Sequence, residues 1–245
     1  MALNTISTAT DIVNRVAAEV GIQPTDSPYF STDPKFVQLT YLLNIAGEEL
    51  AWVHNWEFLH REHSFTTAAE DGGDYDLPDD FLYLVNQTAW DSSNTVPLGG
   101  PLSPQEWTYL KGRNLASGTL YASFRLAQGK FNVYPNPPLI GSDLSYEYIS
   151  KNWVVDSIDP TNRVDAVRFG ADRPMYDKTL LSRYLKVKYL ESAGFDTKKA
   201  QDDFNQTFAF QIGKDKSSGV LNAGTSSRGY PYLSAYNLPD TGFGR

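Results

Sequence analysis

The chain contains no cysteine, which excludes disulfides and thiolate metal sites and suits folding in a reducing compartment. It has only three histidines, so any imidazole-built site must use His54, His60 and His63. Basic residues are outnumbered, 21 Lys and Arg against 29 Asp and Glu, for a net charge of −8. That balance argues against a binder of DNA or of an anionic membrane, which needs a concentrated basic face. It is compatible with a wall that DNA slides past, because a mildly acidic surface avoids sticking. No apolar run approaches the length that spans a bilayer. The opening MALNTISTAT has neither a basic start nor a long apolar stretch and is not expected to be a secretory signal.

What is present is an ordinary globular composition with an aromatic excess. The 245 residues are 41% hydrophobic and 20% charged, enough for one large domain or two small ones with a real core. Aromatics make up 13%, mostly 15 Tyr and 13 Phe. Tyrosine suits half-buried surfaces and subunit contacts, since the ring buries while the hydroxyl stays hydrated.

Helical patterns lie at both ends. Thr8 and Asp11 have capping-box spacing, and Ile12, Val13, Val16, Ala17 and Val20 form one apolar face, predicting a helix over about 9–20. Gly21 and Pro24 stop it, and a polar linker follows. Asp33 before Pro34 starts a second helix in which Phe36, Leu39, Leu42, Leu43, Ala46, Leu50 and Val53 recur at helical spacing to about Trp56. Near Pro174 helical spacing returns, with Tyr176, Leu180, Leu181, Tyr184, Val187 and Leu190 as a stripe ended by Gly194. A last helix from about Thr197 carries Ala200, Phe204, Phe208 and Ile212 on one face.

The middle is strand-like. HREHSFTTAA reads as a strand, EDGGD as an acidic turn, PDDF as a tight turn placing Phe81, and LYLVNQTAW as extended. SPQEWTYLKG is a short helix with its own capping box at Ser103 and Glu106. TLYASFRL and KFNVYP, joined by AQG, form a hairpin, and LSYEYIS is a further strand. The fold class is therefore α+β. Both ends of the chain, 1–57 and 175–212, build a four-helix module. An antiparallel β-domain, 58–174, is inserted into it, and 213–245 is an extended C-terminal arm.

Candidate chemistry is sparse. The three histidines could ligate a transition metal, but their spacing matches no zinc motif, and polar residues at the rim of the helices are the competing reading. Glu70, Asp71, Asp74, Asp76, Asp79 and Asp80 could bind calcium or hide a glycosidase pair. Gly72 and Gly73 do not sit where a calcium loop needs its glycine, so a solvated hairpin turn is the plainer reading. Leu98-Gly-Gly-Pro lacks the lysine of a phosphate loop, and no nucleophile elbow is present. The stronger signal is the tail: Tyr230, Tyr232, Tyr236 and Phe243 are spaced along a segment without helical or strand period. A solvated terminus gains nothing from four large rings, so an arm with aromatic anchors is preferred over a floppy end.

Three features together resemble the head-to-tail adaptor, or connector, proteins of tailed bacteriophages, especially short-tailed ones. They are the N-terminal helix pair ending in AWVHNWEFL, the central YDLPDDFLYLVNQTAWD with PLGGPLSPQEW and the hairpin ending in FNVYPNPP, and the closing helix pair before a Gly/Tyr-rich tail. The resemblance implies a non-enzymatic virion protein at the head-tail junction, assembled in the host cytoplasm, with no cofactor and no membrane contact. It implies a homo-oligomeric, typically dodecameric ring under the portal protein, with a tail or nozzle protein on the other side and DNA passing through without specific binding. The tail anchors would dock on the portal. Two alternatives stay open: a tail-associated carbohydrate- or cell-surface-binding module, if Trp90, Trp107 and Trp153 line a groove, and a cell-wall hydrolase using Asp74 and Asp76.

Overall fold

The computed structural model describes residues 7–68, 72–112, 123–134 and 141–215; the tail residues Tyr230, Tyr232, Tyr236 and Phe243, with Glu70 and Asp71, lie outside them. The fold is mixed α+β, with antiparallel sheets between helices from the two ends of the chain.

Helix α1 spans Ala9–Glu19 and closes a capping box, Thr8 Oγ1 accepting from Asp11 N and Asp11 Oδ2 from Thr8 N, each at 3.2 Å. Gly21, at φ +78, ends it in a conformation that side chains disfavour. Helix α2, Pro34–Val53, starts with Asp33 Oδ1 accepting from Lys35 N at 3.0 Å. It stops short of the expected Trp56. Trp56 instead folds back, and its indole N–H donates to Leu50 O at 2.7 Å, satisfying a last-turn carbonyl that the helix itself cannot.

The middle of the chain runs β1 (His60–Thr66), β2 (Asp74–Asp76), β3 (Phe81–Leu84), β4 (Trp90–Asp91), β5 (Val96–Pro97), α3 (Pro104–Gly112), β6 (Ser123–Ala127), β7 (Lys130–Tyr134) and β8 (Asp143–Ser150). Strand β8 pairs with β1 on one side and with β3 and β4 on the other. Strand β7 pairs with β2 and β6 in a second sheet. The expected LYLVNQTAW strand is broken into β3 and β4 by a turn with Gln87 at φ +65. Three short strands follow, β9 (Val154–Val155), β10 (Arg163–Val164) and β11 (Arg173–Pro174), with β9 central.

Helix α4 covers Lys178–Ser192 and α5 covers Lys198–Asp215. The helix expected near Pro174 begins later because Asp177 is its cap, its carboxylate accepting from Thr179 N at 2.9 Å and Leu180 N at 3.1 Å. Tyr176 therefore sits before the helix, yet it is buried and its hydroxyl donates to Gly47 O of α2 at 3.0 Å.

Two cores result. The first gathers Ile12, Val13, Val16, Leu39, Leu43, Leu50, Leu180, Leu181 and Leu185 from α1, α2 and α4, with Trp153 and Ile149 from the middle of the chain. Gly47 is where α2 meets Trp153: a Cβ built there would lie 2.2 Å from the indole ring, so only glycine allows this approach. The second core is aromatic, and at its centre Phe124, Phe131 and Tyr146 stack at 4.6 and 4.8 Å between centroids. Strand β8 joins the two. Leu144, Tyr146 and Tyr148 face the aromatic core while Ile149, on the other side of the pleat, enters the helical one.

Candidate interaction surfaces

Helix α2 buries one face and leaves another apolar one open. Phe36, Leu39, Leu43, Ala46 and Leu50 point into the core. Val37, Tyr41, Ile45, Glu48 and Trp52 share a different face by helical spacing. On it Val37, Tyr41 and Trp52 are 55%, 68% and 60% exposed. Trp52 is held in place by stacking on Tyr83 of β3, centroids 5.6 Å apart, and Tyr83 in turn donates to Asn55 Oδ1 at 2.9 Å. An ordered ring presented to solvent is what a contact surface requires.

On its flank toward α4 the same helix is fixed by charge. Glu49 accepts from the Tyr184 hydroxyl and from Lys188 Nζ, the latter at 2.7 Å. Burial pushes Glu49 upward, but the bonds from Lys188 and Tyr184 and the lysine charge outweigh it and hold the carboxylate below its ordinary range. Burial and the bond to Glu49 push Tyr184 up to about 12. Asn44 of α2 clamps a loop by its amide, accepting from Val167 N at 2.8 Å and donating to Val167 O at 3.2 Å. That loop is organised by Asp172, fully buried, whose carboxylate accepts from Ser157 N and Oγ, Arg168 N and Phe169 N. The loop backbone then receives the first turn of α1, Ala9 N donating to Asp172 O at 2.8 Å.

The histidines expected to cluster are drawn apart by the change from helix to strand. His54 Nε2 lies 3.1 Å from Asp215 Oδ2, His60 Nδ1 lies 3.7 Å from Glu147, and His63 packs on Phe65 and Tyr146. Asp215, at the last turn of α5, also accepts from Glu57 N at 3.2 Å, so it fastens the end of α5 to the turn after α2. The α2–β1 turn itself is an aromatic plug. Trp56 is buried among Phe58, Tyr176 and Phe208.

The acidic run likewise separates into local partners. Asp74 accepts from the Asn132 amide, and Asp76 pairs with Lys130 at 3.3 Å on the solvent side of β2, whose Tyr75 turns inward. Asp79 is exposed. Asp80 accepts from Tyr148 OH at 2.7 Å and Ser150 Oγ at 2.6 Å, bracing the end of β8. Among the described residues no group of three His, Asp or Glu side chains is placed to hold a metal.

The tryptophans do not line a groove. Trp153 is fully buried and Trp107 8% exposed, while Trp90, at 37%, lies alone on β4. A cleft of about 330 Å³ lies at the start of α1, lined by Thr8, Thr10, Pro28, Phe30 and Phe169 among others. None of the three candidate tryptophans reaches it.

None of Asn44, Glu49, Asp172 or Asp215 was legible as a functional position in the sequence, because each acts on a partner 15 or more residues away or within an aperiodic loop. The α2 stripe was legible in principle. Val37, Tyr41 and Trp52 keep helical spacing but fall outside the set Phe36, Leu39, Leu43, Leu50.

The family described as SU10 adaptor protein matches residues 7–231 of the chain. No curated protein matches it at a significant level.

Proposed function

Because the chain belongs to the SU10 adaptor protein family, we propose that it is a structural protein of a phage virion, a ring-forming head-to-tail adaptor seated under the portal. In this reading the ring, a dodecamer, connects the portal to a tail or nozzle protein and leaves a channel for DNA. It is assembled in the host cytoplasm and acts by contact rather than by catalysis. The observation that carries the reading is the extent of the family match, which takes in the helices from both ends, the β-rich middle and the start of the tail.

The architecture supports the division of labour. The helical core fixes α2 and α5 relative to each other through Trp56, Phe208 and the His54–Asp215 contact. A ring needs such rigid subunit walls, because a small angular error repeated around a closed assembly prevents closure. The net charge of −8 supports a channel wall that is neutral or acidic, along which DNA moves without specific binding.

The C-terminal arm is the proposed portal contact, with Tyr230, Tyr232, Tyr236 and Phe243 as its anchors. Tyr230 falls within the family match and the other three beyond it. Ordering such an arm costs conformational entropy, so it docks only when the portal ring is present, which makes it an assembly checkpoint.

The test is truncation after Asp215. That point keeps the fastening to His54 and Glu57, whereas a cut after Ile212 removes it and mixes loss of the arm with loosening of α5. The truncated chain is expected to keep its melting temperature and lose binding to purified portal rings. Unchanged binding contradicts the arm as the portal contact.

A further inference from the structure

Resting on the ring reading, we propose that the open face of α2 in one copy packs against the outer face of α5 in the next, with Trp52 on Phe210 and Glu48 on Lys214. The size of the open patch sets what its partner must offer. Large aromatic side chains each offer about 150–250 Å², so Tyr41, Trp52 and Val37 leave open on the order of 300 Å², the scale at which patches on soluble proteins mark contacts. One partner in a standard interface contributes about 800 Å², so this stripe is a large share of one side but needs a complementary surface.

Helix α5 supplies one. Its inner face is occupied: Phe204 stacks on Tyr184 at 4.5 Å, and Thr207 and Asp203 O accept from Arg183. On its outer face Phe210 is 61% exposed, with Lys214 Nζ 4.4 Å from its ring centroid. The two faces mirror each other in chemistry. α2 carries a carboxylate one turn before an exposed ring, and α5 carries an ammonium one turn after an exposed ring. Glu48 and Trp52 are four apart, as are Phe210 and Lys214. An antiparallel crossing of the helices therefore brings carboxylate to ammonium and ring to ring in the same contact.

The match is between two different faces of the same chain. Such a contact is heterologous, so each copy offers both halves and the assembly continues until it closes. Two copies of the α2 face against each other would instead leave Glu48 with no cation opposite it, since that face carries none, and stop at a dimer. The charge complementarity favours the first arrangement.

The experiment is the native mass of the full-length chain, alone and with portal rings, for the wild type and for Trp52→Ala, Glu48→Lys, Lys214→Glu and the Glu48→Lys/Lys214→Glu double variant. All three positions are exposed, and thermal melting controls for folding. Each single variant is expected to weaken self-association by about tenfold or more, and the double variant to recover it. Single variants that assemble like the wild type, a double variant that does not recover, or an assembly that stops at two copies each overturn the proposed contact. If the wild type itself stays monomeric alone and on portal rings, the ring reading falls instead, so the two failures are distinguishable.

Discussion

In the helical core the buried side chains are mostly aliphatic and come from stretches with a 3.6-residue period, whereas the β core is a set of rings from β1, β2, β3, β6, β7 and β8. Phe65 meets Tyr75 at 4.4 Å, Phe124 meets Phe131 at 4.6 Å, and Phe131 meets Tyr146 at 4.8 Å. The difference shows how each half gets its order. Helices carry their own backbone hydrogen bonds, so packing of branched side chains suffices to fix them. Short strands of two to eight residues cannot stand alone, and large flat rings stacked in preferred geometry supply the burial and the register that the strands lack. Strands β8 and β3 serve both: in β8 Tyr148 and Ile149 face opposite cores, and in β3 Phe81 and Leu84 pack on the aromatic core while Leu82 and Tyr83 pack on the helical one.

Breaking each core separately has the largest expected effect. Trp153→Ala in the helical core and Phe131→Ala in the β core are each expected to cost about 3–5 kcal/mol. Because β8 serves both, calorimetry on either variant is expected to show one transition displaced as a whole. Two transitions, only one of which moves, would show that the cores unfold independently. Gly47→Ala sharpens the same comparison. It forces a methyl into the Trp153 ring and costs about 1–3 kcal/mol alone, but much less in a Trp153→Ala background, since the two positions share one contact.

A smaller effect is expected at the loop under α1. Asp172 suffers from burial, but its bonds from Ser157, Phe169 and Arg168 outweigh that and hold its carboxyl below the ordinary carboxylate value. A folded pKa below the unfolded one means stability that is present above the unfolded value, about 3.9, and lost as pH falls through the folded value. Asp172→Asn is expected to cost about 1–3 kcal/mol at neutral pH and to flatten the acid limb of the stability curve. An acid limb identical to the wild type would remove Asp172 as its source. The smallest effect belongs to the hairpin of the β half. Asp76→Asn, where the paired carboxylate is 88% exposed, is expected to change stability by less than about 1 kcal/mol. It is also expected to leave binding to portal rings unchanged; a cell-wall-cleaving activity abolished by this change would revive the hydrolase reading.

The contrast between the halves also explains what could be read from sequence. Several local signals were legible. Thr8 with Asp11, Asp33 with Pro34, and Ser103 with Glu106 form the caps their spacing predicts, the last with Glu106 Oε2 accepting from Ser103 N at 2.8 Å. The β6–β7 hairpin turns at Gln128 and Gly129, both at positive φ, as the AQG run suggested. The pairing of β2 with β7 was not legible, because it joins Tyr75 to Phe131 across 56 positions with no local mark. The Trp56 fold-back and the Asp177 cap moved two helix ends, since in each case a side-chain hydrogen bond overrode the apolar period. The open stripe of α2 was legible only in part. Val37, Tyr41 and Trp52 lie across the helix from Phe36, Leu39, Leu43 and Leu50, but spacing alone does not say whether such a second apolar stripe is covered; the packing leaves it exposed.

The proposed function requires this chain to form a ring on a portal. The native mass of the purified full-length protein, measured alone and mixed with portal rings, tests it most directly. A closed assembly of many copies on each portal ring is the predicted result, lost on truncation after Asp215. A chain that stays monomeric and never associates with portal rings would contradict it.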